Sequence, residues 1–262
     1  MRLSRAATAE ASLEERMKGA DIALFAESMP EAYRAAFDAD AIAAHAAIAA
    51  RRGTRTTHVE IWKELPECVV GVLVVADDRP GFLAQLSAAV LSRAIDVISV
   101  HASCRRRPDG VVEAVDVLWI RRLLANGNVA PVRARDVTRL GALVEALVRG
   151  EPLASPSPPT PPAGPTPGAS TRVRFEWDEL EQVMVLTVEA VDRPGLLLAV
   201  TKTLFAEGLQ IVGLRATTEP GPRGRGRRAI DRFSVVELDG APLRRERLLT
   251  VQIAVLSAIE TA

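Results

Sequence analysis

The chain has 262 residues, with 33 Lys+Arg against 33 Asp+Glu and a net charge of zero. That balance argues against a protein held to nucleic acid by bulk charge; 48% hydrophobic and 25% charged residues make an ordinary globular composition rather than a disordered one. Cys68 and Cys104 give neither a disulfide framework nor zinc spacing, and no apolar run nears the ~20 residues of a membrane span. With no apolar stretch behind the N-terminal charges, a cytoplasmic protein is expected.

In chain order, Ser12-Leu13-Glu14-Glu15 reads as a capping box opening a helix to about Glu27. Pro30–Phe37 and Asp40–Arg52 read as further helices, so residues 1–54 form a helical segment. His58–Lys63 alternates apolar and polar as a half-buried strand does. Val69–Ala76 is a continuous apolar run, a more buried strand. Pro80–Arg93 carries a helical stripe of Phe82, Leu83, Leu86, Ala89 and Val90. Ile95–Ser103 and Val111–Arg121 read as strands around a basic hairpin loop, and Asp136–Arg149 as a helix. Eight of the 17 prolines then fall between Pro152 and Pro167, a polyproline-type stretch that reads as a linker over 151–170. Beyond it, Arg172–Trp177, Val183–Val191, Pro194–Glu207, Leu209–Thr217, Ile230–Leu238 and Arg244–Ile259 repeat the pattern.

The two halves are an internal repeat. Asp78-Arg79-Pro80-Gly81-Phe82-Leu83 recurs as Asp192-Arg193-Pro194-Gly195-Leu196-Leu197, an offset of 114 residues. Asp96-Val97-Ile98 falls on Gln210-Ile211-Val212, and Ala114-Val115-Asp116 on Ala229-Ile230-Asp231 after one inserted residue. Strand, strand, helix, strand, strand, helix predicts an α+β fold of two ferredoxin-like units, over 55–150 and 171–262. Each is a four-stranded antiparallel sheet with two helices on one face, permuted so that the usual last strand leads. The leading strand pairs with its neighbour as a hairpin or is exchanged between repeats.

A strand running into Asp-Arg-Pro-Gly and then a helix has a physical logic. Asp78 or Asp192 can cap the helix, Pro80 and Pro194 suit its first turn, and Gly81 and Gly195 allow close approach. Free N–H groups at the helix start then face a carboxylate. A plain capping turn explains the same residues.

These turns, with Met29-Pro30-Glu31-Ala32-Tyr33, Asp40–Ala46 and Val173-Arg174-Phe175-Glu176-Trp177, resemble a known family. They are similar to ACT domains, small regulatory amino-acid-binding modules, and to the tandem ACT region of bifunctional uridylyltransferase/uridylyl-removing enzymes. The resemblance spans roughly residues 20–260. It implies a site of Asp77, Asp78, Arg79, Gly81, Phe82 and Leu83 facing Asp96, Val97 and Ile98. It implies a second of Asp192, Arg193, Gly195, Leu196 and Leu197 facing Gln210, Ile211 and Val212. Many family members carry Asn where Asp96 and Gln210 stand.

The implied ligand is a small amino acid, glutamine among the candidates, in nitrogen or amino-acid metabolism, with no cofactor and no metal. The implied partners are a second copy or a catalytic protein. A ligand-free dimerisation module, and a regulatory remnant working with a separate catalytic subunit, are the alternatives. No Gly-Ser turn with paired carboxylates and no His-Asp pair is present, so neither catalytic part is expected and the chain reads as a non-enzyme. His45, His58 and His101 read as satisfied or solvent-facing residues. The basic runs Arg105–Arg107 and Arg223–Arg228 read as solvated hairpin tips without the aromatics that nucleic-acid contact favours.

Overall fold

The computed structural model describes residues 19, 21–124, 128–151, 171–221 and 226–261. The Ser12 capping box, the proline-rich stretch and Arg223 and Arg225 lie outside the described residues. Helix α1 covers 21–28. It is followed by α2 (Glu31–Ala36), α3 (Ala39–Arg52), β1 (Thr57–Glu64), β2 (Val70–Asp77), α4 (Phe82–Ser92), β3 (Ile95–Arg106) and β4 (Val112–Leu123). A two-residue β5 (Val129–Ala130) and α5 (Ala134–Val148) close the first repeat. The second runs β6 (Arg172–Asp178), β7 (Val183–Val191), α6 (Leu196–Ala206), β8 (Leu209–Pro220), β9 (Arg227–Glu237) and α7 (Leu248–Thr261).

The strands form one antiparallel sheet of order β1-β2-β4-β3-β8-β9-β7-β6, with β5 beside β4. Each leading strand pairs inside its own repeat, β1 with β2 and β6 with β7. The two expected four-stranded units are present, and their sheets join edge to edge into one. Without that merger β3 and β8 would be edges, rows of unpaired N–H and C=O groups that seek a partner. They find it in each other, in a seam running from Ser99↔Thr217 to Ser103↔Gly213.

Alternation along β2 explains its unbroken apolar run. Val72, Val74 and Ala76 face the core under α4–α7, whereas Leu73 and Val75 face a second core with Phe25, Met29, Tyr33 and Ile48. A strand buried on both faces needs no polar alternation. The N-terminal helices thus cover the back of the first repeat. They are fixed there by buried charge: Arg52 Nη1 donates to Glu113 Oε1 at 2.5 Å, and Glu113 also meets Arg105 at 2.5 Å. Arg52 and Glu113 are 3% and 2% exposed.

The basic tips are therefore not simply solvated. Arg105 lies over the Phe25 ring at 4.5 Å as well as pairing with Glu113. Arg227 and Arg228 are engaged by Asp96 and Glu189. Carboxylates inside the strands draw these guanidinium groups down, which the run of arginines alone does not reveal.

Candidate functional site

Both Asp-Arg-Pro-Gly turns have the same backbone. Gly81 and Gly195 are the N-cap residues of α4 and α6, at φ +81° and +90°, a left-handed conformation that glycine adopts without penalty. Each helix therefore starts one residue after its glycine, and neither has a side-chain cap. The expectation that Asp78 or Asp192 caps is not met, because each sits three residues before the N-cap. Phe82 and Leu196 N–H groups bond back to Arg79 and Arg193 carbonyls, and the next bonded pairs begin at Gln85 and Ala199. The intervening N–H groups of each first turn have no backbone partner among the described residues, as is general for the start of a helix.

The arginines of the motif serve the opposite ends of their units. Arg79 donates to the Val148 carbonyl and, at 3.2 Å, to the Leu147 carbonyl at the end of α5. Arg193 donates to the Ile259 carbonyl in α7. A guanidinium there satisfies orphan carbonyls and complements the helix dipole. Asp77 also turns away, to Arg52 of α3.

The seam crosses the two expected sites. The Asp78 turn faces Gln210, Ile211, Val212 and Gly213 of the other repeat, not Asp96 of its own. The Asp192 turn faces Asp96, Val97, Ile98 and Ser99. Since β3 and β8 run antiparallel, each turn stands over the start of its neighbour's strand. A β-bulge marks both places: Ile98 and Val212 are the extra residues where the register shifts.

The two sites differ in size. Around Asp78 the cavity is only about 30 Å³, room for a water and little more. Gln210 Nε2 donates to Asp78 Oδ2 at 2.7 Å, and the Phe205 ring lies 3.2 Å from where a Cβ on Gly81 would stand. Burial pushes the Asp78 carboxyl up, with the Cys104 thiol and Gln210 amide opposing. Behind it Asp116 is pushed well up by burial, and its Oδ2 has no partner.

Around Asp192 the cavity is about 520 Å³, within the range of small-molecule sites. Leu91 holds the place equivalent to Phe205 and comes only to 3.7 Å from a Cβ on Gly195. Asp96, in the place of Gln210, is bound by Arg121 and Arg227, each at 2.9 Å. Arg227 also reaches Asp192 at 3.2 Å. Asp231, equivalent to Asp116, lines this cavity and is pushed up to about 7 by burial and by the Asp192 charge. Sequence reading did not place Leu91, Phe205, Asp116, Arg227 or Asp231 in the sites. The signal for the aspartates was present: an acid recurs inside an apolar strand at matching places in both repeats.

The described residues thus form an α+β pair of ferredoxin-like units sharing one sheet, with an open cavity at the Asp192 turn and a closed one at the Asp78 turn. Over 90% of its length the chain is 29% identical to the bifunctional uridylyltransferase/uridylyl-removing enzyme of Phenylobacterium zucineum (strain HLK1). It is 27% and 28% identical over 87% and 89% to the proteins of that name from Rhodospirillum rubrum and Caulobacter vibrioides. The chain spans about a quarter of the length of these relatives, 24% in each case. No protein-family model matches it. Among solved structures, aspartate kinase from Synechocystis aligns with 85% of this chain and 32% of its own at 15% identity and TM-score 0.40. An unknown protein from Galdieria sulphuraria aligns with 74% and 91% at 19% identity and TM-score 0.25. Overlaps this loose do not bear on the fold.

Proposed function

We propose that this chain is a non-catalytic, cytoplasmic regulatory module that binds a small amino acid between its two ACT-type units and relays occupancy to a catalytic partner. The observation that carries the reading is the open cavity at the Asp192 turn. It joins N–H groups at the start of α6, suited to an α-carboxylate, to aspartates contributed by both repeats, Asp96 and Asp231. The similarity to a quarter of the uridylyltransferase/uridylyl-removing enzymes supports a regulatory role in nitrogen or amino-acid metabolism, with glutamine as one candidate.

A ligand held by both the α6 turn and β3 ties the units together across the seam. It would favour one arrangement of the units over others that lack this bridge. With the Asp78 site closed, one ligand per chain is expected.

The test is calorimetry and thermal melting of the chain with the twenty amino acids, beside Leu91→Phe. That substitution places in the open cavity the ring that Phe205 places in the closed one. At least one amino acid should raise the melting temperature of the unsubstituted chain, as any ligand specific for the folded state must, and Leu91→Phe should abolish this. No stabilisation by any of the twenty would refute ligand binding; undiminished binding by Leu91→Phe would put the site elsewhere.

A further inference from the structure

We propose that the open cavity selects a primary ammonium compound carrying a bulky apolar group, with the Asp231 carboxylate as its counter-charge. The proposal rests on the reading of this cavity as a ligand site and goes further, to the chemistry of the ligand.

The first ground is the balance of charge in the wall. Its charged residues, among those described, are Asp96, Asp192, Arg193, Arg227 and Asp231. Asp96 is matched by Arg121 and Arg227, and Asp192 shares Arg227. Arg193 donates one N–H to the Ile259 carbonyl, keeps its positive charge and leaves its buried Nε without a partner among the described residues, but no hydrogen bond or ion pair joins it to Asp231. Asp231 is 4% exposed and has neither a salt bridge nor a side-chain hydrogen bond among the described residues. It projects from β9 between Val188 of β7 and Ala216 of β8, which bring no charge of their own. A buried carboxyl without a donor is unfavourable, and a ligand cation would remove that penalty.

The second ground is the rest of the wall. Leu86, Val90, Ile95, Val97, Leu118 and Leu197 make it predominantly aliphatic. An aliphatic or aromatic group is at home there. The side-chain amide of glutamine would be buried against hydrocarbon without partners.

Binding should then be coupled to a proton. Burial and the charge of its neighbour Asp192 both push the Asp231 carboxyl up, to about 7. Asp192, itself pushed up by burial, and Asp96, Arg121, Arg193 and Arg227 are the other charged groups around it. An ammonium ligand favours the carboxylate, so binding below pH 7 expels a proton. Affinity should rise about tenfold from pH 6 to pH 8 and level off above.

The experiment is calorimetry on the full chain with L-leucine, L-phenylalanine, phenylethylamine, 3-phenylpropionate and L-glutamine, at pH 6 and 8, in two buffers of different ionisation heat. The apolar ammonium compounds should bind, with release of nearly one proton at pH 6. Phenylpropionate and glutamine should not. Asp231→Asn should weaken binding at least tenfold and remove the pH dependence. The comparison of phenylethylamine with phenylpropionate needs no variant, so the proposal stays testable should Asp231→Asn fold poorly. Glutamine binding more tightly than leucine, or Asp231→Asn binding with unchanged affinity and pH slope, would overturn the proposal. If Leu91→Phe still blocked that binding, the cavity would remain the site. No binding by any of the twenty amino acids would overturn both readings.

Discussion

His101 and Arg215 occupy equivalent positions in the two repeats and stand directly opposite each other in the seam, Arg215 Nε donating to His101 Nε2 at 3.0 Å. A residue paired with its own repeat equivalent marks a local two-fold axis. The Asp78 and Asp192 sites lie on either side of that axis, which is why each combines one unit's turn with the other unit's strand. Arg215 also donates to the Ala32 carbonyl, linking the axis to α2.

This geometry fixes the state of the imidazole. A ring nitrogen accepting from Arg215 carries no proton, and burial, Arg215 and His45 lower the His101 pKa to about 4. His45, bonded to Tyr33 Oη at 2.6 Å, is likewise lowered to about 4, chiefly by burial. Between pH 6.5 and 4 the unfolded state binds protons at these rings that the native state does not, so their contribution to stability is lost as pH falls through that window. Imidazole NMR signals of His45 and His101 should still report neutral rings at pH 5. Midpoints near 6.5 for both would contradict the buried arrangement.

Glu113 joins two arginines in the interior, so its removal leaves charge unmatched. Glu113→Ala should cost about 3–5 kcal/mol, the usual loss when one partner of a buried ion pair is deleted. A urea unfolding midpoint within error of the parent would argue against it. The same substitution should loosen α1–α3, seen as faster amide exchange over residues 39–52.

Phe205 is 44% exposed despite closing the Asp78 site. Phe205→Leu, which copies Leu91, should therefore cost little stability, within about 1 kcal/mol. It should open room beside Gly81 and, with Gln210→Asp, raise the calorimetric stoichiometry from one ligand per chain towards two. A stoichiometry fixed at one in the double variant would mean that more than these two side chains keeps the site shut.

Gly81→Ala and Gly195→Ala place a Cβ on a left-handed residue, at about 1–2 kcal/mol each. The first also meets the Phe205 ring at 3.2 Å, the second Leu91 only at 3.7 Å. Gly81→Ala should be the more destabilising in thermal melts, and Phe205→Leu should erase the difference. Equal costs in the parent chain would show that the ring yields freely.

Much of the fold was legible because it is written in periodicity. The stripe from Phe82 to Val90, the alternation after His58 and the repeated turn are local signals. The site was legible only in part. Its turns are local, but the strand each faces depends on β3 pairing with β8, and nothing in Asp96-Val97-Ile98 specifies that partner. The roles of Leu91 and Phe205 are invisible for the same reason: each depends on where the seam places the other unit's turn. Arg79 and Arg193 were assigned to a ligand because they sit in the motif, whereas their long side chains reach carbonyls 66 and more residues away.

The seam also has a consequence for dose response. In an assembly of separate subunits, a cavity formed between two modules exists only in proportion to how many copies have met, so apparent affinity drifts with expression level. Here both walls are encoded in tandem and joined covalently, at an effective concentration set by the connection rather than by the cell. On the proposed reading, sensitivity to ligand is therefore a fixed property of each molecule.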